Sequence, residues 1–202
     1  MHIAEGVLSP VILGAGAVLT GCGTALGLRR LSEEQLVTTA LLASAFFVAS
    51  LIHVPIGPAS AHLILTGIVG LLLGWGAFPA ILMGLALQAM LFGYGGLTVL
   101  GVNTWNMAFP AAILGLGLRP WITRGGRMQT LAAFACGAGS VLGAGLLTAA
   151  SLAWTEEGFW QAAQLLLLAH VPVALAEGAI TAFVVAFLAK VRPETLPCAP
   201  RR

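Results

Sequence analysis

A chain of 202 residues with 59% hydrophobic side chains, 26 glycines and 8% charged residues departs from soluble domains, in which about a quarter of residues are charged. That composition excludes a disordered tail, a secreted disulfide scaffold and a nucleic-acid binder, and it points to the bilayer as solvent. The net charge of +2 selects no partner, so the placement of the nine basic and seven acidic residues is the informative part.

Met1 to Gly6 carries His2 and Glu5 ahead of a charge-free apolar stretch. A first transmembrane span is expected near 7–28, ended by Arg29 and Arg30, with Glu5 favouring the start of that helix through its dipole. Leu19-Thr20-Gly21-Cys22 looks like a lipoprotein cleavage site, but no Lys or Arg precedes it, and cleavage is not expected. From Gln35 to Leu118 there is no Asp, Glu, Lys or Arg. Pro55, Gly57 and Pro58, then Gly74, Gly76 and Pro79, then Gly93, Gly95 and Gly96 punctuate this block. Spans are expected near 36–53, 62–76, 78–93 and 104–118. The middle two are short for a hydrocarbon core about 30 Å thick, which predicts that one is tilted, broken or only partly inserted. Two more spans, near 130–154 and 161–189, flank Glu156 and Glu157 and leave 190–202 as a cytoplasmic tail. Cys22, Cys136 and Cys198 have no CxxC spacing, so neither a disulfide nor a thiolate metal site is expected.

The reading is one transmembrane domain over 1–202, an all-α polytopic bundle of seven helices with the N-terminus outside and the C-terminus cytoplasmic. The positive-inside rule tests the count, because one added or omitted helix flips every later loop. On seven spans Arg29, Arg30, Arg119, Arg124, Arg127, Lys190, Arg192, Arg201 and Arg202, all the basic residues of the chain, fall on the cytoplasmic side.

Ionisable groups in a membrane segment are costly, so the few present are the candidates for function. Of the four histidines, His2, His53 and His62 are expected near the outer surface and His170 about two turns into the last span. An interfacial position is the ordinary alternative for any one of them. The Met1 α-amine, the His2 amide nitrogen and the His2 imidazole close a five- and a six-membered chelate ring, placing three nitrogens in one plane. Such a set suits square-planar Ni²⁺ or Cu²⁺ and disfavours Mg²⁺ and Ca²⁺. Met1 is expected to persist, because the second residue is large. His62 is the candidate fourth ligand: it follows Val54 to Ala61, whose prolines and glycine predict a loop or re-entrant segment lining a cavity. His53 and Ser60 of that segment, with Asn103 and Asn106 at the start of the fifth span, are candidates for a supporting shell or gate, the alternative being that the asparagines satisfy loop backbone. His170 and Glu177, seven residues apart on one helix face with Pro172 between them, form an intramembrane polar pair. An interhelical hydrogen bond or an ion path is open for it. No phosphate loop, zinc-protease helix or serine nucleophile elbow occurs, so no enzymatic activity is expected and any ATP hydrolysis belongs to another polypeptide.

Three stretches carry a resemblance. Met1-His-Ile-Ala-Glu-Gly-Val-Leu8, Ser50-Leu-Ile-His-Val-Pro-Ile-Gly-Pro-Ala-Ser-Ala-His-Leu63 and Gly96-Leu-Thr-Val-Leu-Gly-Val-Asn-Thr-Trp-Asn-Met-Ala108 resemble the motifs of the CbiM/NikM family. Its members are the substrate-binding membrane components of cobalt and nickel energy-coupling-factor ABC transporters. The resemblance covers 1–118 most closely and the last two spans in pattern only. It implies a seven-helix bundle in the prokaryotic inner membrane, with transported Co²⁺ or Ni²⁺ held by Met1, His2 and His62 and no catalytic cofactor. It also implies a transmembrane coupling subunit, two cytoplasmic ATPase subunits and a small accessory membrane subunit as partners. The loop around His53 and Gly57-Pro58-Ala59 departs from part of the family and leaves cobalt versus nickel open. The competing reading is a passive channel or secondary transporter that uses His170 and Glu177.

Overall fold

The computed structural model describes residues 2–51, 53–56 and 59–196, with the backbone alone described at 2, 53–56, 59–62 and 157. It is helical apart from one small sheet. The helices are α1 (Pro10–Arg30), α2 (Glu33–Ala49), α3 (Thr66–Leu73), α4 (Ala77–Phe92), α5 (Leu100–Ile122), α6 (Gly126–Thr155) and α7 (Trp160–Val191). Their starts follow local chemistry. Pro10 opens α1 at the first-turn position where its missing N–H costs nothing. Gln35 of α2 accepts a hydrogen bond through Oε1 from the Ser32 N–H at 3.2 Å.

Among the described residues, four helical stretches are long and apolar enough to cross a membrane: Pro10–Arg30, Thr66–Phe92, Gly126–Thr155 and Trp160–Val191. Their outer faces are greasy, with Val11, Leu168 and Phe183 all about 70% exposed or more (79%, 69% and 72%). In water such faces would be a liability; against lipid chains they cost nothing.

The second of those stretches is not a straight rod. Gly74, at φ 57° and ψ −121°, breaks it after α3, in a backbone region open to glycine alone. Packing sets the directions on either side. Gly27, near the end of α1, lies against Trp75 and Pro79, whereas Gly96, after α4, lies against Glu5. The chain therefore runs away from the N-terminal segment through α3, reverses over 74–76 and returns through α4. The expected span at 62–76 thus begins at the last residue of a strand, His62, passes through a short connection at 63–65 and holds only an eight-residue helix, about 12 Å long at 1.5 Å per residue. Of the two middle spans expected to include one that is tilted, broken or only partly inserted, the first is the one interrupted here, at Gly74.

The segment expected as a loop or re-entrant stretch is paired instead. β2 (His53–Ile56) and β3 (Ala59–His62) are antiparallel, and β1 (His2–Ile3) adds to the other edge of β3, giving the order β1-β3-β2. Backbone polar groups inside an apolar bundle must find partners, and a ladder supplies them where a free loop would not. Pro55 sits in an outer strand, where its missing N–H leaves no ladder bond unmade. Residues 52, 57 and 58, with the turn between β2 and β3, lie outside the described residues.

α3 is enclosed by α5, α6 and α7. A side chain at Gly70 would strike the Ala111 backbone and one at Gly67 the Gly137 backbone, the close approach that small residues allow between membrane helices. Phe46, Phe78, Ile81, Leu85 and Met107 fill the core between α2, α4 and α5.

Candidate metal centre

The sheet is the structural frame of the candidate site. In β1, His2 pairs with Ser60 and Ile3 with Ala59. In β2, His53 pairs directly with His62. Directly paired residues, and residues two apart on one strand, share a face of an antiparallel ladder. Positions 2, 53, 60 and 62 are therefore neighbours on one face, brought together from segments about fifty residues apart in the chain. Met1 lies outside the described residues, as do the side chains of His2, His53, Ser60 and His62. Among the described residues no three His, Cys, Asp or Glu gather as a metal cluster.

Side chains from the surrounding helices hold the strands. Asn103 of α5, 3% exposed, grips the outer edge of β1. Its Oδ1 accepts from the Ile3 N–H at 3.0 Å and its Nδ2 donates to the Ile3 carbonyl at 3.2 Å. The carboxamide thus does for Ile3 what a further strand would do, satisfying both backbone groups of a residue that is fully buried. Asn106, one turn on, faces elsewhere and donates to Thr148 and Ser151 of α6 at 3.4 and 3.3 Å. Of the two asparagines, Asn103 supports the N-terminal strand and Asn106 ties helix to helix.

Glu5 is not part of the first turn of α1, which begins five residues later and has no acidic residue there. It reaches across to the segment preceding α5. Its Oε1 accepts from the Thr98 N–H at 3.0 Å and the Thr98 hydroxyl at 3.1 Å, while its own N–H donates to the Gly95 carbonyl at 3.0 Å. The Thr98 backbone N–H, then the Thr98 hydroxyl, hold the Glu5 carboxyl below the usual carboxylate range. The carboxylate does sit at a helix start, but that of α5 rather than α1.

His170 and Glu177 are both fully buried, and they serve separate partners. His170 Nδ1 lies 2.6 Å from the Leu166 carbonyl of its own helix. Glu177 Oε1 accepts from the Ile64 and Leu65 N–H groups at 2.5 and 2.7 Å. Seven residues place the two side chains about 10 Å apart along α7. At the other end of α3, Arg119 donates through Nε to the Leu71 carbonyl at 3.2 Å and through Nη2 to the Leu72 carbonyl at 3.3 Å. The short helix is thereby capped by a carboxylate at its positive end and a guanidinium at its negative end. In the sequence Arg119 marks topology; the signal for a further role is its place at the end of the long uncharged block from Gln35 to Leu118.

Long apolar helices, together with a small sheet that carries three of the four histidine positions, define a membrane protein. The chain belongs to the CbiM family, cobalt uptake substrate-specific transmembrane region, which it matches over residues 2–195. It is 45% identical over 201 residues to a putative metal transport protein of Haemophilus influenzae, covering 97% of each chain. It is 36% identical to the fused nickel transport protein NikMN of Rhodobacter capsulatus, matching all of this chain and 65% of that longer one. Among solved structures, a truncated transition metal transporter superposes with a TM-score of 0.79 at 26% identity, covering 94% of this chain and 99% of the other.

Proposed function

We propose that this protein is the substrate-binding membrane subunit of an ATP-driven importer of the energy-coupling-factor type for Co²⁺ or Ni²⁺. The ion is captured from outside by the Met1 α-amine, the His2 amide nitrogen and imidazole, and the His62 imidazole. The observation that carries this reading is the strand register, which makes positions 2 and 62 neighbours on one ladder face. Four nitrogens in a plane select late d-block ions over Mg²⁺ and Ca²⁺. His53, paired with His62, and Ser60 orient the site or gate it, and the Asn103 clamp keeps the N-terminal strand in register. The chain crosses the membrane in seven segments, α3 with its leading strand counting as one, and the basic residues face the cytoplasm. On that side a coupling subunit and two ATPase subunits supply the energy, with a small accessory membrane subunit completing the complex in the prokaryotic inner membrane.

The test is Ni²⁺ and Co²⁺ binding by purified protein with its native N-terminus, against protein extended by one residue before Met1. Extension turns the α-amine into an amide and removes one ring of the chelate. The extended form is expected to bind at least a hundredfold more weakly, since a lost chelate nitrogen costs several kcal/mol against the total metal-binding free energy of about 10–16 kcal/mol seen in structural sites. Equal affinity of the two forms refutes the amino-terminal chelate.

A further inference from the structure

Glu177 stands on α7, a helix that carries no expected ligand, yet its described hydrogen bonds run to the backbone just after His62. Oε1 receives the N–H groups of two consecutive residues, Ile64 and Leu65, and Oε2 is buried with no hydrogen-bond partner among the described residues. Leu65 is also the one described non-glycine residue with positive φ, at 52°. Left-handed backbone at a leucine persists only where its surroundings impose it. Here the turn makes two successive N–H groups converge, the concavity that binds an anion, and the Glu177 carboxylate fills it. The contact is long-range, 113 residues apart in sequence for Ile64, and it begins two residues past His62, the last residue of β3.

We infer that Glu177 is the positioning residue for His62. The carboxylate locks the backbone turn between β3 and α3, and so fixes where the His62 position stands relative to β1. The inference rests on the reading of His62 as a ligand. Asn103 does the same for the opposite strand from α5. The two halves of the centre are thus held by two different helices, and any displacement of α7 relative to α5 pulls His62 away from the N-terminal strand. Because oxygen-acceptor geometry is the operative property, a glutamine at 177 retains the function, whereas a shortened carboxylate does not.

The experiment uses the purified full chain with its native N-terminus and Ni²⁺ as probe. It compares His62→Ala, Glu177→Ala, Glu177→Gln, Glu177→Asp and the double variant His62→Ala/Glu177→Ala by chelator competition and by the d–d absorption of the Ni²⁺ complex. Groups that orient a metal-bound histidine are commonly worth 10–100-fold in affinity. Glu177→Ala is expected to lose affinity in that range and to show the Ni²⁺ spectrum of His62→Ala. The double variant should bind no more weakly than His62→Ala alone, since both changes remove one interaction. Glu177→Gln should stay within about threefold of the native chain, as its Oε1 accepts the same two N–H groups. Arg119→Gln removes the cap at the other end of α3 and serves as the control: it should lower stability and leave the spectrum unchanged. Native-like binding by Glu177→Ala, or multiplicative losses in the double variant, overturns the inference while leaving the ligand reading intact. Native-like binding by His62→Ala overturns both. If Glu177→Ala does not fold, the remaining pair decides: weak binding by Glu177→Gln with native binding by Glu177→Asp means that charge rather than geometry is required, and the inference fails.

Discussion

Replacing Asn103 by alanine tests how the N-terminal strand is held. The substitution removes both hydrogen bonds from the Ile3 backbone at a residue with no solvent exposure. A buried backbone group left without a partner costs about 1–3 kcal/mol. Two such groups cost about 2–6 kcal/mol, and entry of water into the vacated volume brings the expected value to the lower end, about 2 kcal/mol. At 1.4 kcal/mol per tenfold, β1 detaches about 30 times more often. Hydrogen exchange of the peptide covering residues 1–9 measures that opening directly and should speed up by about this factor. Ni²⁺ affinity falls by the same factor once the detached form predominates, because apparent affinity scales with the competent fraction. Asn106→Ala, which loosens contacts with α6 rather than β1, should leave exchange in residues 1–9 unchanged. Unchanged exchange in Asn103→Ala refutes the clamp.

Glu5 supplies a pH test. Its carboxyl is depressed in the folded chain, chiefly by the Thr98 N–H, so its contribution is full above the ordinary carboxylate value of 4.5 and is lost as pH falls through the lower folded value. Exchange at residues 1–9, corrected for its intrinsic pH dependence, should therefore accelerate on acidification in the native chain, and Glu5→Gln should flatten that profile. Gly70→Ala should lower the melting temperature in detergent, because the added Cβ meets the Ala111 backbone rather than a movable side chain; overpacking of this kind costs about 1–3 kcal/mol. Gly14→Ala, which has open space at that point, should be neutral or stabilising.

The helices were legible because their signals are local. Long apolar runs with charged residues near their ends located α1, α6 and α7 within a few residues, and the Pro and Gly clusters marked the breaks. The sheet was not, since Val54 to Ala61 offers two prolines and a glycine and no alternation of polar and apolar residues. Its third strand comes from the other end of the chain. Asn103 was named as a candidate from its place at a helix start, but nothing local separated it from Asn106, and only packing tells which faces β1 and which faces α6. Glu177 was singled out because a carboxylate in a membrane helix is rare; that it serves the backbone turn leading into α3 depends on a contact 112 residues distant for Leu65.

The amino-acid sequence by itself determined that this chain lives in a membrane, where its long helices lie, and which few residues had chemistry to offer. These follow from solvation, which acts on each segment separately: apolar runs partition into lipid and arginines mark their ends. Tertiary structure decided what those residues do. Pairing His2 with Ser60 and His53 with His62, clamping Ile3 from α5 and capping both ends of α3 from α7 and α5 are all contacts between distant segments. Their reason is also solvation, applied to the assembled whole. Inside the bundle water is absent, so each buried backbone group of the short sheet and the short helix must find its partner elsewhere in the chain.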